Sequence, residues 1–395
     1  MPDQSSRRIG TVTRRPLLAG AGALLLGTRR ASAQRAREHF AYVGGAAPDG
    51  QGISLWRVNT GDGAMTLAGV FDAEGASSLA FDGAQRVLYA VAETAPEGSI
   101  AAFAVDRASG VLTPLNSVSS RGASPCFVSV HPSGKFVLAA NGGSGSIAAF
   151  PIGANGALGE ASDVQDDAGP PGPARAADSP PGQSAPSDHG GPRLRMVAAD
   201  PQGRFVVASD AGRDRILRYT LDLASGKLAP VSEPVAAVPG SAPCRFAFHR
   251  NGRTLYSLQE QDGRITVYDY NPDTGAMKPR QSVSALAPDF AGSFLAADIA
   301  ISEDGRFVYA SLLRHDAIVV FLVEEDGRLT RIGETWTEGA DPAGFALAPE
   351  GTMLFACNRR GNAVTAFRVN RALGALDFVG RYTPVAAPAC MVFLR

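Results

Sequence analysis

Ten polar side chains in this 395-residue chain could do chemistry together: Glu93, Asn141, Arg193, Arg195, Asp210, Arg245, Glu260, Arg314, His315 and Asn358. Guanidinium groups pair bidentately with carboxylates and keep their charge at any physiological pH. Imidazole titrates near neutrality and can act as a base there. The set therefore suits an anionic ligand. It also suits hydrolysis of a carbonyl compound, in which one group takes a proton from water while arginine steadies the developing oxyanion. Glu260 is the expected base, with Arg195, Arg245 or Arg314 at the oxyanion and His315 as a second base. Arg193, Glu93, Asn141, Asp210 and Asn358 are expected to bind substrate. The plainer alternative is solvated loop charges and ion pairs between repeats, the reading adopted for Arg359 and Arg360. The chain has no CxxC, HExxH, P-loop, helix-opening GxGxxG or GxSxG pattern. With five His in all, no His-rich metal site and no cofactor is expected.

These residues are far apart in sequence, so a repeat must bring them together. A phrase close to Gly-x-Ile-x-x-aromatic-x-Val-Asp-x-x-x-Gly-x-Leu occurs seven times, centred on Trp56, Phe103, Phe150, Tyr219, Tyr268, Phe321 and Phe367. The aromatic recurs at intervals of 47, 47, 69, 49, 53 and 46 residues. Such periodicity marks units that bury their apolar faces only against one another. Hairpin phrases such as CFVSVHPSGKFVLAAN and DIAISEDGRFVYASL precede most copies. Each has two β-prone runs about a Pro/Asp-x-Gly turn. The repeated phrase adds a third run and a weaker fourth. Helical spacing is not sustained anywhere in these stretches. The expected fold is all-β, a seven-bladed propeller of four-stranded antiparallel blades. The first copy has only the short lead-in HFAYVGGA, and the chain ends on an unpartnered strand, PACMVFLR. That last strand should complete the first blade and close the ring. In such a ring the start of each first strand and the end of each second strand share one face. All ten residues then gather at the mouth of the central channel.

The propeller is expected over residues 39–395 as one unit. Residues 1–33 read instead as an export signal of twin-arginine type: Arg14-Arg15, an apolar stretch through Gly27, and Ala31-Ser32-Ala33 as a cleavage site. The apolar stretch is far shorter than the ~20 residues a spanning helix needs, so a periplasmic or secreted protein with no stable membrane insertion is expected. A formal net charge of -1 gives no reason to expect a nucleic-acid partner. A monomer acting on a small molecule is the expectation. The 69-residue interval contains DDAGPPGPARAADSPPGQSAPSDHGG, residues 166–191, whose composition predicts a mobile insertion. Cys126, Cys244 and Cys390 recur at matching places in different repeats, which argues against disulfides among them.

The repeats resemble the seven-bladed propeller lactonases, the family of bacterial 6-phosphogluconolactonases and fungal carboxymuconate lactonising enzymes. The likeness runs from Phe40 to Arg395. It is carried by YVGG at Tyr42, SPCFVSVHPSGKFVLAAN at Ser124, PGSAPCRFAFHRNGRTLYSLQE at Pro239, AADIAISEDGRFVYASLLRHDAI at Ala296 and DPAGFALAPEG at Asp341. The resemblance implies a lactone hydrolase, but several positions depart from the family's pattern. Arg193 and Arg195 stand where the family has His. Cys244 and Arg245 stand for its Arg-His, Leu313 for an Arg, and Phe127 for a His. Glu260 matches. Replacing imidazole by guanidinium removes a base and adds a fixed positive charge. Two readings follow: an exported hydrolase opening a sugar-derived or carboxylated lactone, or a non-catalytic propeller binding an anionic small molecule or a protein partner.

Overall fold

The computed structural model describes residues 38–93, 97–167, 172–173, 179–185 and 189–395. The expected signal at 1–33 lies outside the described residues. Among the described residues there is no helix, and the strands form seven antiparallel sheets. Six sheets follow chain order; one example is Pro243–Phe248, Thr254–Gln259, Arg264–Tyr270 and Met277–Ser284. The seventh is mixed in origin. The C-terminal strand Pro388–Phe393 pairs with Glu38–Gly45 and closes the ring without a covalent link.

Burial follows from the radial arrangement. Second strands such as Phe136–Asn141 and Met353–Asn358 are buried at every position, because neighbouring sheets cover both of their faces. They accordingly read as continuous apolar runs rather than alternating ones. Outer strands such as Leu329–Trp336 alternate between buried or half-buried and exposed. Each interface between adjacent sheets has its own apolar cluster, so the core is a ring of seams. That explains why a single repeat has no core of its own.

The repeated phrase acquires a physical cause at each position. Its last glycine (Gly63, Gly110, Gly156, Gly226, Gly275, Gly327 or Gly374) has φ between 67° and 88°, a region in which a Cβ is strained. In four seams the turn carbonyl of this glycine accepts a tyrosine hydroxyl from the preceding sheet. The pairs are Tyr42 to Gly110 at 2.6 Å, Tyr89 to Gly156 at 3.0 Å, Tyr256 to Gly327 at 2.9 Å and Tyr309 to Gly374 at 3.1 Å. The aromatic of the phrase marks a register shift between third and fourth strands at Trp56, Phe103, Tyr268, Phe321 and Phe367. The first position also has positive φ in every copy but that of Gly98, and in Asp214, Asp316 and Asn362 it carries an acceptor side chain. These side chains accept the backbone N–H of Ala242, Asp341 and Ala387 at 2.7, 2.8 and 2.8 Å. Each bond ties one sheet to the approach of the next at the mouth face.

Some of the described residues of the insertion make defined contacts. Gln183 is buried, donating to the carbonyl of Phe294 at 3.0 Å and accepting from the Phe294 N–H at 3.2 Å. The N–H of Gly292 donates to Pro181, and His189 meets Asp214 at 3.3 Å. All four cysteines are free, with Cys244 and Cys357 buried.

Candidate functional site

One irregularity recurs at the mouth. The innermost strand of six sheets carries an extra residue near its start: Cys126, Arg195, Cys244, Ala297, Ala343 or Ala389. A bulge of this kind re-aims a side chain, here toward the channel. Cys126, Arg195, Ala297, Ala343 and Ala389 all line a cavity of about 110 Å³. Cys244 turns into the seam instead, and its neighbour Arg245 takes its place in the lining. Glu93, Ser77 and Arg359 complete the polar wall.

Three guanidinium groups therefore converge on one small cavity opposite one carboxylate. Arg245 lies over the Phe127 ring, 4.8 Å from its centroid, and donates to the carbonyl of Arg195. Phe127 thus supplies a cation–π platform at the position where the family has His. Glu93 accepts the Ser77 hydroxyl at 2.7 Å, which fixes its carboxylate toward the cavity.

Glu260 stands behind this wall rather than in it. It is almost fully buried, with Arg193 Nη1 at 3.2 and 3.4 Å from its two oxygens and Arg195 Nε at 3.5 Å. Burial works to raise its carboxyl, but Arg195, Arg193 and Arg245 outweigh that and hold it below the usual range. A carboxylate so committed is a poor proton acceptor. Glu260, the expected base, thus sits between two arginines and anchors both.

The remaining sequence candidates separate. Asn141 is buried and donates to Ser120 and Ser146 at 3.0 and 3.1 Å, and Asn358 likewise to Thr337 and Thr365 at 3.3 and 2.9 Å. Both close the second strand onto adjoining loops and do not line the cavity. Asp210, at the equivalent place, accepts the N–H of Arg193 and Gly212 at 2.7 and 2.9 Å. Arg314 is exposed at a turn where its φ is 63°. His315 leans on Phe290 and pairs with Glu334 of an outer strand at 3.4 Å. The strand periodicity brought both to the right face but not to the right radius. Arg359, read from sequence as a solvated charge, does line the cavity.

Asp298, at the entry of its first strand, was given no role in the sequence reading. It follows the bulged Ala297 and accepts the N–H of Ile299 and Phe345 at 3.0 and 3.3 Å. Burial pushes its carboxyl up to about 6 against the pull of Arg245. Its signal in the sequence was the Ala-Asp-Ile register, in which Asp298 is the counterpart of Arg245. Among the described residues no group of three or more His, Cys, Asp or Glu side chains is placed to hold a metal ion. A larger groove of about 680 Å³ lies between hairpin turns at the opposite face, near Asp82 and His131. It gathers no comparable set of converging charges.

Residues 40–393 match the family described as Lactonase, 7-bladed beta-propeller. The chain belongs to this lactonase family. The 6-phosphogluconolactonase of Bacillus subtilis (strain 168) is 31% identical over 316 residues, covering 78% of this chain and 84% of that protein. A solved structure from Bacteroides fragilis, described as a candidate 6-phosphogluconolactonase, superposes with a TM-score of 0.81 at 29% identity, covering 91% of this chain and 98% of its own. The periplasmic gluconolactonase of Pseudomonas aeruginosa gives the same TM-score of 0.81 at 24% identity, covering 91% and 99% of the two chains, a likeness of fold.

Proposed function

We propose that this lactonase-family propeller is an exported hydrolase that opens a sugar-derived or otherwise carboxylated lactone at the channel mouth. The observation that carries the reading is the convergence of Arg195, Arg245 and Arg359 with Glu93 on one cavity. In the step we envisage, Glu93 takes a proton from water as the water oxygen bonds to the lactone carbonyl carbon. The carbonyl oxygen becomes an oxyanion and is stabilised by a guanidinium group. The ring C–O bond then breaks, and the departing alkoxide recovers the proton from Glu93 to give the hydroxy acid. A second guanidinium holds the substrate's anionic group. The names of relatives such as that of Bacillus subtilis support a sugar-acid lactone. The Arg14-Arg15 segment and Ala31-Ser32-Ala33 favour export. Export in turn favours an unphosphorylated lactone, because 6-phosphogluconolactone is made in the cytoplasm.

The test is hydrolysis of a panel comprising 6-phosphogluconolactone, gluconolactone and a carboxylated lactone, each against its spontaneous rate. Glu93→Gln should lower kcat by roughly 10²- to 10⁴-fold with little change in KM, as expected on losing a general base. No turnover of any lactone would end the enzyme reading. One observation favours the binding alternative: Glu260 is consumed by Arg193 and Arg195, and no imidazole lines the cavity. Aldonate or dicarboxylate binding that weakens in Arg195→Ala or Arg245→Ala, without turnover, would establish that reading instead.

A further inference from the structure

We propose that Arg359 is the specificity-determining residue of the cavity. It holds an anionic group that the lactone carries besides its ring ester, so that charged lactones are taken in preference to neutral ones. This assignment deepens the lactonase reading and rests on it.

Each sheet presents one equivalent position at the mouth, the residue at or just past the end of its second strand. There the N–H donates to the carbonyl of a residue leading into the innermost strand: Glu93 to Gly75 at 3.2 Å, Glu260 to Ala242 at 2.7 Å and Arg359 to Asp341 at 2.9 Å. Ala46, Gly142 and Ala211 make the same bond in their sheets, and Leu313 pairs with Leu295. Charge therefore enters this ring of positions at Glu93, Glu260 and Arg359. Glu260 is committed to Arg193 and Arg195 behind the wall. Glu93 and Arg359 line the cavity, and among the described residues neither has an ion-pair partner. Arg360 shows the alternative. Its side chain is 71% exposed, pairs with Asp341 at 3.7 Å and stays out of the wall.

The three guanidinium groups of the wall differ in how they are held. Arg195 is braced by Glu260, while Arg245 lies over Phe127 and bonds the Arg195 carbonyl. Both are preorganised, as stabilisation of an oxyanion requires. Arg359 is exposed and fixed through its backbone, which leaves its side chain free to reach a substituent. Counted around the ring from the closing sheet, Glu93 belongs to the second sheet, Arg195 to the fourth, Arg245 to the fifth and Arg359 to the seventh. A lactone carbonyl set between Glu93 and Arg195 turns the rest of its ring toward the sixth and seventh sheets. The side chains there are Ala297, Leu313 and Ala343, with Arg359 beside them. The apolar three give a neutral hydroxymethyl group no hydrogen bond. The guanidinium gives a carboxylate or phosphate charge-assisted ones.

The γ-lactones of gluconic and glucaric acid share a ring and differ at one end, hydroxymethyl against carboxylate. 6-Phosphogluconolactone carries a phosphate at that end. The wild-type KM should be lower for the glucaric than for the gluconic lactone. Arg359→Met keeps the backbone bond and the bulk, so the fold should hold. It should raise KM for the glucaric lactone by about tenfold, the size of one charge-assisted contact, with kcat and the gluconic KM changed by less than about twofold. Arg359→Lys should keep most of the preference and Arg360→Met all of it. A parallel rise for 6-phosphogluconolactone would assign the site to anions generally, and a rise confined to the glucaric lactone would assign it to carboxylates. Equal KM changes for charged and neutral lactones would overturn the proposal. So would a loss of kcat with KM unchanged, which would make Arg359 an oxyanion donor. Calorimetric titration with the ring-opened acids, gluconate and glucarate, reads the same preference without turnover. A glucarate advantage that disappears in Arg359→Met while no lactone is hydrolysed would uphold the specificity and end the lactonase reading. Turnover with no such advantage would do the reverse.

Discussion

Replacing Glu260 by glutamine keeps its shape and removes the negative charge that lies between two guanidinium groups. Arg193 and Arg195 stand 3.2 and 3.5 Å from its oxygens, with side chains 25% and 26% exposed against 5% for Glu260. Breaking a buried ion pair on one side costs about 3–5 kcal/mol. The partial exposure of both arginines lets water offset some of that, leaving about 2–3 kcal/mol. For a propeller of roughly 350 residues the unfolding entropy is about 0.7 kcal/mol per kelvin, so Tm should fall by about 3–4 °C at pH 7. The Glu260 carboxyl is depressed in the folded chain. Its contribution is therefore present above the unfolded value near 4.5 and is lost as pH falls through the folded value. The gap between wild type and Glu260→Gln should narrow as pH is lowered from 5 toward 3. Scanning calorimetry at pH 7, 5, 4 and 3 reads both effects. A Tm within about 1 °C of wild type at pH 7, or a gap that widens on acidification, would refute the assignment of Glu260 as the arginine anchor.

Tyr309→Phe removes the donor to the buried Gly374 carbonyl and should cost about 1–2 kcal/mol by denaturant melting. Adding Tyr256→Phe, which acts in a different seam, should cost a similar amount additively. Asp298 has a raised carboxyl, so its contribution to stability declines as pH rises from about 4 through about 6. Asp298→Asn should therefore gain on the wild type between pH 4 and pH 8, by on the order of 2–3 kcal/mol, measured as the change in unfolding free energy. Gly44→Ala would put a Cβ 2.0 Å from the Ala76 carbonyl oxygen. It should destabilise the closing sheet by several degrees in Tm, and a variant as stable as wild type would show that this strand is not so tightly seated.

Much of the architecture was legible because each repeat position has a local cause. Glycine recurs where φ is positive, apolar runs mark strands covered on both faces, and the extra C-terminal strand fits the missing place in the first sheet. Strand direction also placed Arg195, Arg245 and Glu93 on the correct face. The face alone did not fix the radius. Arg314 and His315 sit at the right height, but His315 pairs with an outer strand and Arg314 points to solvent. Asn141 and Asn358 end the same strands as better candidates yet spend their amides on loops.

The sequence by itself determined the number of blades, their strand order, the closure and the family, since all of these depend on periodic and local preferences. Only the tertiary structure decided which charges meet. A one-residue bulge turns Arg195 into the channel, and the same bulge buries Cys244 and leaves its neighbour Arg245 to face the cavity. Two arginines placed around a buried carboxylate make Glu260 their common anchor. Charge and burial act through distance, and distances between repeats are set by how the seams pack rather than by spacing along the chain.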